Sequence, residues 1–322
     1  LSFFEFTTLA AFFVFKYSDI DVLVLEVGLG GRLDTVNVID ADIAIITSIG
    51  LDHTEFLGND RATIAREKAG IMRCGRPVIC GDQDPPTSIQ QMANQVGATL
   101  LQLNKAFNYS QDCNSLSWIW SSSRTQLSGL PVPAIRLDNA ACALQAIDCL
   151  QEKLPVSIQA IKTGLQSVSL PGRFEQQSFQ RVPVILDVAH NPDAVCALIE
   201  NLNRFDKREA IHAVFTCAAN KDIQAMVRLL KSHVTHWHTA PLLSGHTPGR
   251  QIMDVSIESI ASVLQPLNCQ YTCLESVEKA FESAHNECGS SEDNLILVFG
   301  SFKTVAAIKR AVVFDEEQQC LQ

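Results

Sequence analysis

Apolar residues in this chain fall into short unbroken runs, separated by segments where they recur every three or four positions. Runs of the first kind read as strands buried on both faces, as inside a parallel sheet; the others read as amphipathic helices. The first run, 21–27, ends in Glu26 one step before the turn Gly28-Leu29-Gly30-Gly31. A second buried strand is predicted over 41–49, then a helix over 59–72 capped by Asn59 or Asp60. Strands at 77–80 and 98–103 flank a helix at 86–96, and 116–120 reads as an antiparallel excursion before helices at 138–150 and 157–168. Leu170-Pro171-Gly172-Arg173 punctuates the chain as a domain boundary. The second half repeats the alternation, with strands at 182–188, 210–215, 236–240, 270–274 and 294–299. Helices are predicted at 192–204, 223–232, 255–264, 277–287 and 301–313, and a loop at 242–250. Such alternation implies right-handed crossovers and parallel sheets: two α/β domains in tandem, 1–169 and 170–322, without internal repeats.

Composition narrows the function classes. A chain of 322 residues supports two cores, and 47% hydrophobic against 19% charged residues excludes disorder. The net charge of -10 argues against nucleic acid as a partner, so an anionic substrate needs a local basic pocket. The apolar start, 1–15, is interrupted by Glu5 and reads as neither signal peptide nor membrane span. The 11 cysteines are scattered without a Cys-x-x-Cys pair, which fits a reducing cytoplasm and core-filling thiols. The chain begins with Leu1 inside what reads as an established element, as a fragment would.

Candidate chemistry gathers after the strands, where open α/β sheets bind ligands. A carboxylate ending a buried strand needs a partner, and Glu26 is a candidate magnesium ligand beside a nucleotide. The dinucleotide fingerprint Gly-x-Gly-x-x-Gly fails here, because Leu33 stands where its third glycine belongs. If strands 21–27 and 41–49 are neighbours, His53 lands close to Glu26; alone, it reads as a structural histidine. Lys68 has two readings: a helix-end cation favoured by the macrodipole, or a buried amine of lowered pKa that takes up carbon dioxide. Asp187, His190 and Asn191 cluster after another strand. His233, His236 and His238 fit no standard zinc spacing, and alternation puts His236 and His238 on one strand face at the surface.

Several motifs then occur in order: Glu-Val-Gly-Leu-Gly-Gly-Arg-Leu-Asp (26–34), Leu-Asp-His-Thr-Glu-Phe-Leu-Gly (51–58), Arg-Glu-Lys-Ala-Gly-Ile (66–71), Leu-Pro-Gly-Arg-Phe-Glu (170–175), Asp-Val-Ala-His-Asn-Pro (187–192) and Phe-Gly-Ser-Phe (299–302). Together they resemble the bacterial bifunctional dihydrofolate synthase/folylpolyglutamate synthase family, within the Mur ligase superfamily, over essentially the whole chain. The resemblance implies a Mur-ligase-like α/β fold, with an incomplete N-terminal ATPase domain and a C-terminal Rossmann-like glutamate-ligase domain. It implies ATP-dependent joining of L-glutamate to dihydropteroate and to tetrahydrofolate polyglutamates through an acyl phosphate, by a cytoplasmic monomer. By resemblance Glu26, His53 and a carbamylated Lys68 hold Mg2+. Asn139, Arg173 and Asp187 match ATP contacts. Ser2, Phe3, Phe4 and Glu5, with Leu33, Asp34 and Thr35, match contacts to the pterin substrate. His190 and Ser301 match residues that hold the incoming glutamate, Lys68 and His190 are the catalytic candidates, and a monovalent cation is left open.

The chain also departs from the pattern. The family's Gly-x-x-x-x-Gly-Lys-Thr phosphate loop has no counterpart in these 322 residues, which predicts impaired ATP use by this polypeptide. Lys303 stands where a histidine or aromatic residue is common, and Asp193 where a second histidine often follows Asn-Pro. Two other readings follow: a cell-wall amino-acid ligase of the same superfamily, and a catalytically inactive remnant. The turn at 28–34 with Phe3 and Phe4 favours folate over the first, and a phosphate loop encoded in frame upstream would dismiss the second.

Overall fold

A computed structural model describes residues 1–111, 117–205, 207–242 and 255–315. The chain divides into two compact units, Leu1–Val168 and Ser169–Gln322.

The first unit opens with helix α1 (Phe3–Lys16), whose start is closed by a reciprocal pair: Ser2 Oγ accepts from the Glu5 backbone, and Glu5 accepts from the Ser2 backbone. Three strands, β1 (Ala44–Ile46), β2 (Pro77–Cys80) and β3 (Thr99–Gln102), form a parallel sheet in that order. Helices α2 (Thr54–Leu57), α3 (Arg61–Ala69) and α4 (Thr87–Val96) accompany it. Asp60 caps α3, accepting from Thr63, as its position before the first helical turn requires. Ile46, Ile64, Val78 and Ile89 form the core between sheet and helices. An antiparallel sheet follows, of β4 (Phe107–Gln111), β5 (Ser117–Ser122) and β6 (Gln126–Pro131), packed with α5 (Leu137–Leu150) and α6 (Ile158–Ser167) around Trp118 and Trp120.

The predicted strand at 21–27 does not form. These residues are irregular and mostly exposed, with Val24 at 89%. A strand is held by hydrogen bonds to its neighbours and by cover on its faces, and among the described residues no strand pairs with this one. The predicted 41–49 strand shrinks to three residues for the same reason: its pairing with β2 covers Ala44 to Ile46 alone.

The second unit is a six-stranded sheet. Its strands are β7 (Glu175–Phe179), β8 (Val182–Leu186), β9 (Ala210–Phe215), β10 (His236–Thr239), β11 (Tyr271–Cys273) and β12 (Asn294–Phe299), in the order β11-β10-β9-β12-β8-β7. All pairs are parallel except β7 with β8. Helices α7 (Pro192–Arg204), α8 (Ile223–Leu230), α9 (Ile257–Leu264), α10 (Val277–Cys288) and α11 (Phe302–Ala311) complete it. Alternate strand residues join separate cores: Ile185 packs with Val195 and Met226, whereas Val184 and Leu186 pack with Phe281 and Ile308.

The histidines depart from expectation. His238 is fully buried and His236 half-buried, because α10 covers that face of β10; neither lies at the surface. Burial pushes the His238 imidazole down to about 3. Of the predicted loop at 242–250, only Leu242 lies within the described residues, bridging to Val255.

Candidate active site

In the first unit the glycine-rich turn docks on the carboxyl end of α3. The Arg32 backbone N–H donates to the Glu67 carbonyl at 2.8 Å, and the Arg32 guanidinium pairs with the Glu67 carboxylate at 3.1 Å. Gly31 has to be glycine for this approach: a side-chain carbon there would lie 2.9 Å from the carbonyl oxygens of both Glu67 and Lys68. One at Gly30 would lie 2.9 Å from Leu57. Three stretches distant in sequence, 28–34, 51–58 and 66–71, thus meet at one end of α3.

Asp34 clasps this turn, its carboxylate accepting from Leu29 N–H at 2.9 Å and from Val36 N–H at 3.0 Å. Phe4 packs against Gly28, where a side-chain carbon would lie 2.7 Å from its ring. Leu33, Asp34 and Thr35 line a hollow of about 320 Å³ with Leu9, Arg32, Asn37 and Val38. Phe3 projects into solvent at 84% exposure. Ser2 and Glu5 cap α1, a structural duty that holds Glu5 below the usual carboxylate range through the Ser2 donors.

Lys68 is half-buried near the end of α3. Burial pushes its ammonium pKa down, and the Asp52 carboxylate draws it part of the way back. His53 follows directly, in the left-handed region (φ 50°) at the start of α2. Glu26 is exposed at the end of the unpaired segment. Among the described residues, neither Glu26 nor His53 belongs to a group of three acid, histidine or cysteine ligand atoms drawn together. Asn139 is exposed in the first turn of α5, with its N–H held by the buried Asp138.

In the second unit, chemistry gathers beyond the carboxyl ends of β8 and β12, which run side by side with Leu186 opposite Val298. Asp187 is buried and accepts from Phe174 N–H at 2.8 Å and Ala189 N–H at 2.7 Å. Burial raises its pKa against the opposing pull of those two donors, Arg173 and His190. The Arg173 guanidinium lies 5.5 Å from the centre of the Phe302 ring, leaving its donors open to an anion. His190 holds the Val188 carbonyl through Nδ1 at 2.9 Å, and its ring lies 6.3 Å from that of Phe302. Ser301 caps α11, accepting from Thr304 N–H at 3.0 Å.

Residues 4–126 match the Mur ligase middle domain, and residues 172–302 match the Mur ligase glutamate ligase domain. The chain is 38% identical to the dihydrofolate synthase/folylpolyglutamate synthase of Escherichia coli (strain K12), covering 97% of this chain and 70% of that protein. It belongs to that family. The E. coli enzyme solved with DHPP and ADP superposes with a TM-score of 0.87 at 38% identity, over 97% of this chain and 71% of that one. The Yersinia pestis bifunctional folylpolyglutamate synthase/dihydrofolate synthase, complexed with AMPPNP and a Mn ion, gives 0.86 at 41% identity over the same shares. Family members are ATP-dependent ligases that form an amide bond with glutamate, on the Mur-ligase-like α/β fold.

In this chain, sequence reasoning missed a brace beside the His53 loop. Arg61 donates to the Ile49 carbonyl at 2.7 Å and to the buried Asp82 at 2.8 Å, while Asp82 also accepts from Ile49 N–H at 2.7 Å. Its signal was an acidic residue two positions beyond a strand, where ligand-binding loops begin. It also missed that Lys303 Nζ is buried with no hydrogen-bond partner among the described residues.

Proposed function

We propose that Glu26, His53 and Lys68 serve the metal and reacting phosphate, that Asn139, Arg173 and Asp187 serve the nucleotide, and that Leu33, Asp34, Thr35 and Phe4 seat the pterin end of the acceptor. The observation that carries this reading is the docking of the 28–34 turn on the backbone of Glu67 and Lys68, which brings the hollow bearing Asp34 and Thr35 to the end of α3 that carries Lys68. Bound Mg2+ supplies charge neutralisation for phosphate oxygens and an acceptor carboxylate. Glu26 and His53 suit it, because magnesium keeps waters and substrate oxygens and takes only one or two donors from the protein.

Lys68 contributes through its desolvated amine. The neutral nitrogen attacks the carbon of carbon dioxide, a C=O electron pair moves onto oxygen, and the nitrogen releases a proton to solvent. A carbamate then stands where a cation would repel the metal. Arg173 offers a planar fork to phosphate oxygens. His190 and Ser301, at the start of α7 and α11, hold the incoming glutamate, and the buried ammonium of Lys303 beside Ser301 suits one of its carboxylates. A reducing, cytoplasmic setting is part of this reading, and the buried free thiols of Cys80, Cys142, Cys217 and Cys288 suit it.

The test is ADP release by the intact protein with ATP, Mg2+ and dihydropteroate or tetrahydrofolate. Release should require L-glutamate and should yield the glutamylated folate. Release that ignores glutamate, or that is supported by cell-wall precursors instead of pteroate, would sink the assignment.

A further inference from the structure

Outside the candidate active site, the second unit assembles three imidazoles and a carboxylate at one spot. In the register of β9 and β10, His236 stands opposite His212, and His238 stands two residues along the same strand. Alternation therefore puts all three on one sheet face, the one that α10 covers. The His236 and His238 rings stack with centres 4.6 Å apart. Glu287, near the end of α10, reaches them with a single oxygen. Its Oε2 lies 3.0 Å from His236 Nδ1, 3.5 Å from His212 Nδ1 and 3.7 Å from His238 Nε2.

Hydrogen bonding accounts poorly for this arrangement. One carboxylate oxygen offers about two lone pairs, and three imidazole nitrogens converge on it. His212 Nδ1 and His238 Nε2 also face each other at 3.4 Å. A shared cation accounts for it better. The point equidistant from His212 Nδ1, His238 Nε2 and Glu287 Oε2 lies about 2.0 Å from each, the length of a zinc–nitrogen or zinc–oxygen bond. The outer nitrogen of His238 carries the supporting contact that metal-bound histidines use, with Nδ1 3.1 Å from Ser283 Oγ, and His236 Nε2 is held by Thr272 Oγ1 at 2.9 Å. Glu287, 39% exposed, leaves an entry path for an ion.

We propose that His212, His238 and Glu287 form a binding site for a divalent transition-metal ion of the zinc class, with His236, whose Nδ1 lies 3.0 Å from Glu287 Oε2, orienting the carboxylate. Imidazole donors suit zinc, cobalt, nickel or copper over the hard cations magnesium and calcium. The cluster lies within β9 and β10, whereas Asp187, His190 and Ser301 lie beyond the carboxyl ends of β8 and β12. The ion would thus tie α10 to the sheet, and the proposal does not rest on the ligase reading.

The experiment strips the intact protein with chelator and titrates it with Zn2+ and, separately, Co2+. One equivalent should bind tightly, the Co2+ form should show tetrahedral d–d bands without a thiolate charge-transfer band, and Zn2+ should raise Tm where Mg2+ does not. Glu287→Gln keeps the size and partial exposure of the side chain while removing its charge; it should weaken Zn2+ binding tenfold or more. His212→Asn should do the same, and His233→Asn, whose ring contacts Asn203, should bind like wild type. Circular dichroism of each metal-free variant shows that it is folded. Absent Zn2+ binding, thiolate bands in the Co2+ spectrum, or equal affinity in Glu287→Gln would each overturn the proposal.

Discussion

Two stretches of this chain look alike in sequence and end up opposite in structure. Val22-Leu23-Val24-Leu25-Glu26 and Val182-Pro183-Val184-Ile185-Leu186-Asp187 are both apolar runs closed by a carboxylate. The second becomes β8, with a strand on either side and side chains at most 1% exposed at Val182, Val184, Ile185 and Leu186. The first pairs with no strand among the described residues, and Val24 is 89% exposed. An apolar run therefore states that a segment can be buried; its neighbours decide whether it is. The carboxylates inherit this difference. Asp187 is fixed by two backbone donors inside a core, whereas Glu26 is placed only by the turn that follows it.

Replacing each carboxylate tests that contrast most strongly. Asp187→Ala leaves the Phe174 and Ala189 amides without their acceptor in a buried site, at a cost of roughly 2–5 kcal/mol. Glu26→Ala should change stability by no more than about 0.5 kcal/mol, as surface substitutions do. Urea unfolding of both variants provides the check. Equal destabilisation would mean that the 21–27 run is covered and paired after all. Under the proposed assignment both variants lose ligase activity, so the two carboxylates should separate by stability and agree in function.

Lys68 sharpens the same contrast, because burial acts on it while Glu26 in the same unit stays exposed. Its pKa is depressed by burial, so the folded state disfavours the ammonium. That penalty is fully present below the depressed value and fades as pH rises toward the ordinary lysine range. Lys68→Met should therefore stabilise the protein near neutral pH, with the gain vanishing in alkali. Activity moves the other way: the same variant should lose roughly 10- to 100-fold, the scale of a disturbed metal site. Carbamate formation needs neutral amine, so wild-type activity should fall with falling pH and rise with added bicarbonate. Short carboxylic acids should partly restore the variant. Unchanged kinetics in Lys68→Met would leave the lysine only its helix-end role.

What the sequence made legible follows the physics of each signal. Runs and turns with local causes were readable: 77–80, 192–204, 210–215 and 294–299 occur with the predicted bounds, and Asp60 caps α3. The meeting of 28–34 with α3 was not readable from spacing, because it depends on close approaches that Gly31 allows to the Glu67 and Lys68 carbonyls and Gly70 allows to Arg32. The cluster of His212 with His236 and His238 was missed for a similar reason. Spacing along the chain carries no information about which strand lies alongside, and His212 reaches the others only through the β9–β10 register. Asp34 shows a further limit, since the residue matched to the substrate also clasps its own turn.

The smallest expected effect is the most direct probe of the unpaired run. Val24→Thr swaps a methyl for a hydroxyl at a position already in water, so stability should move by less than about 0.5 kcal/mol. Val184→Thr makes the same swap at 1% exposure inside β8, where the hydroxyl meets an apolar core, and should cost roughly 1–2 kcal/mol. The chemistry of the two changes is identical, so their difference isolates cover alone. If Val24→Thr destabilised the intact protein as much as Val184→Thr, something covers that run in solution, and Glu26 would then be held by a strand rather than by its turn.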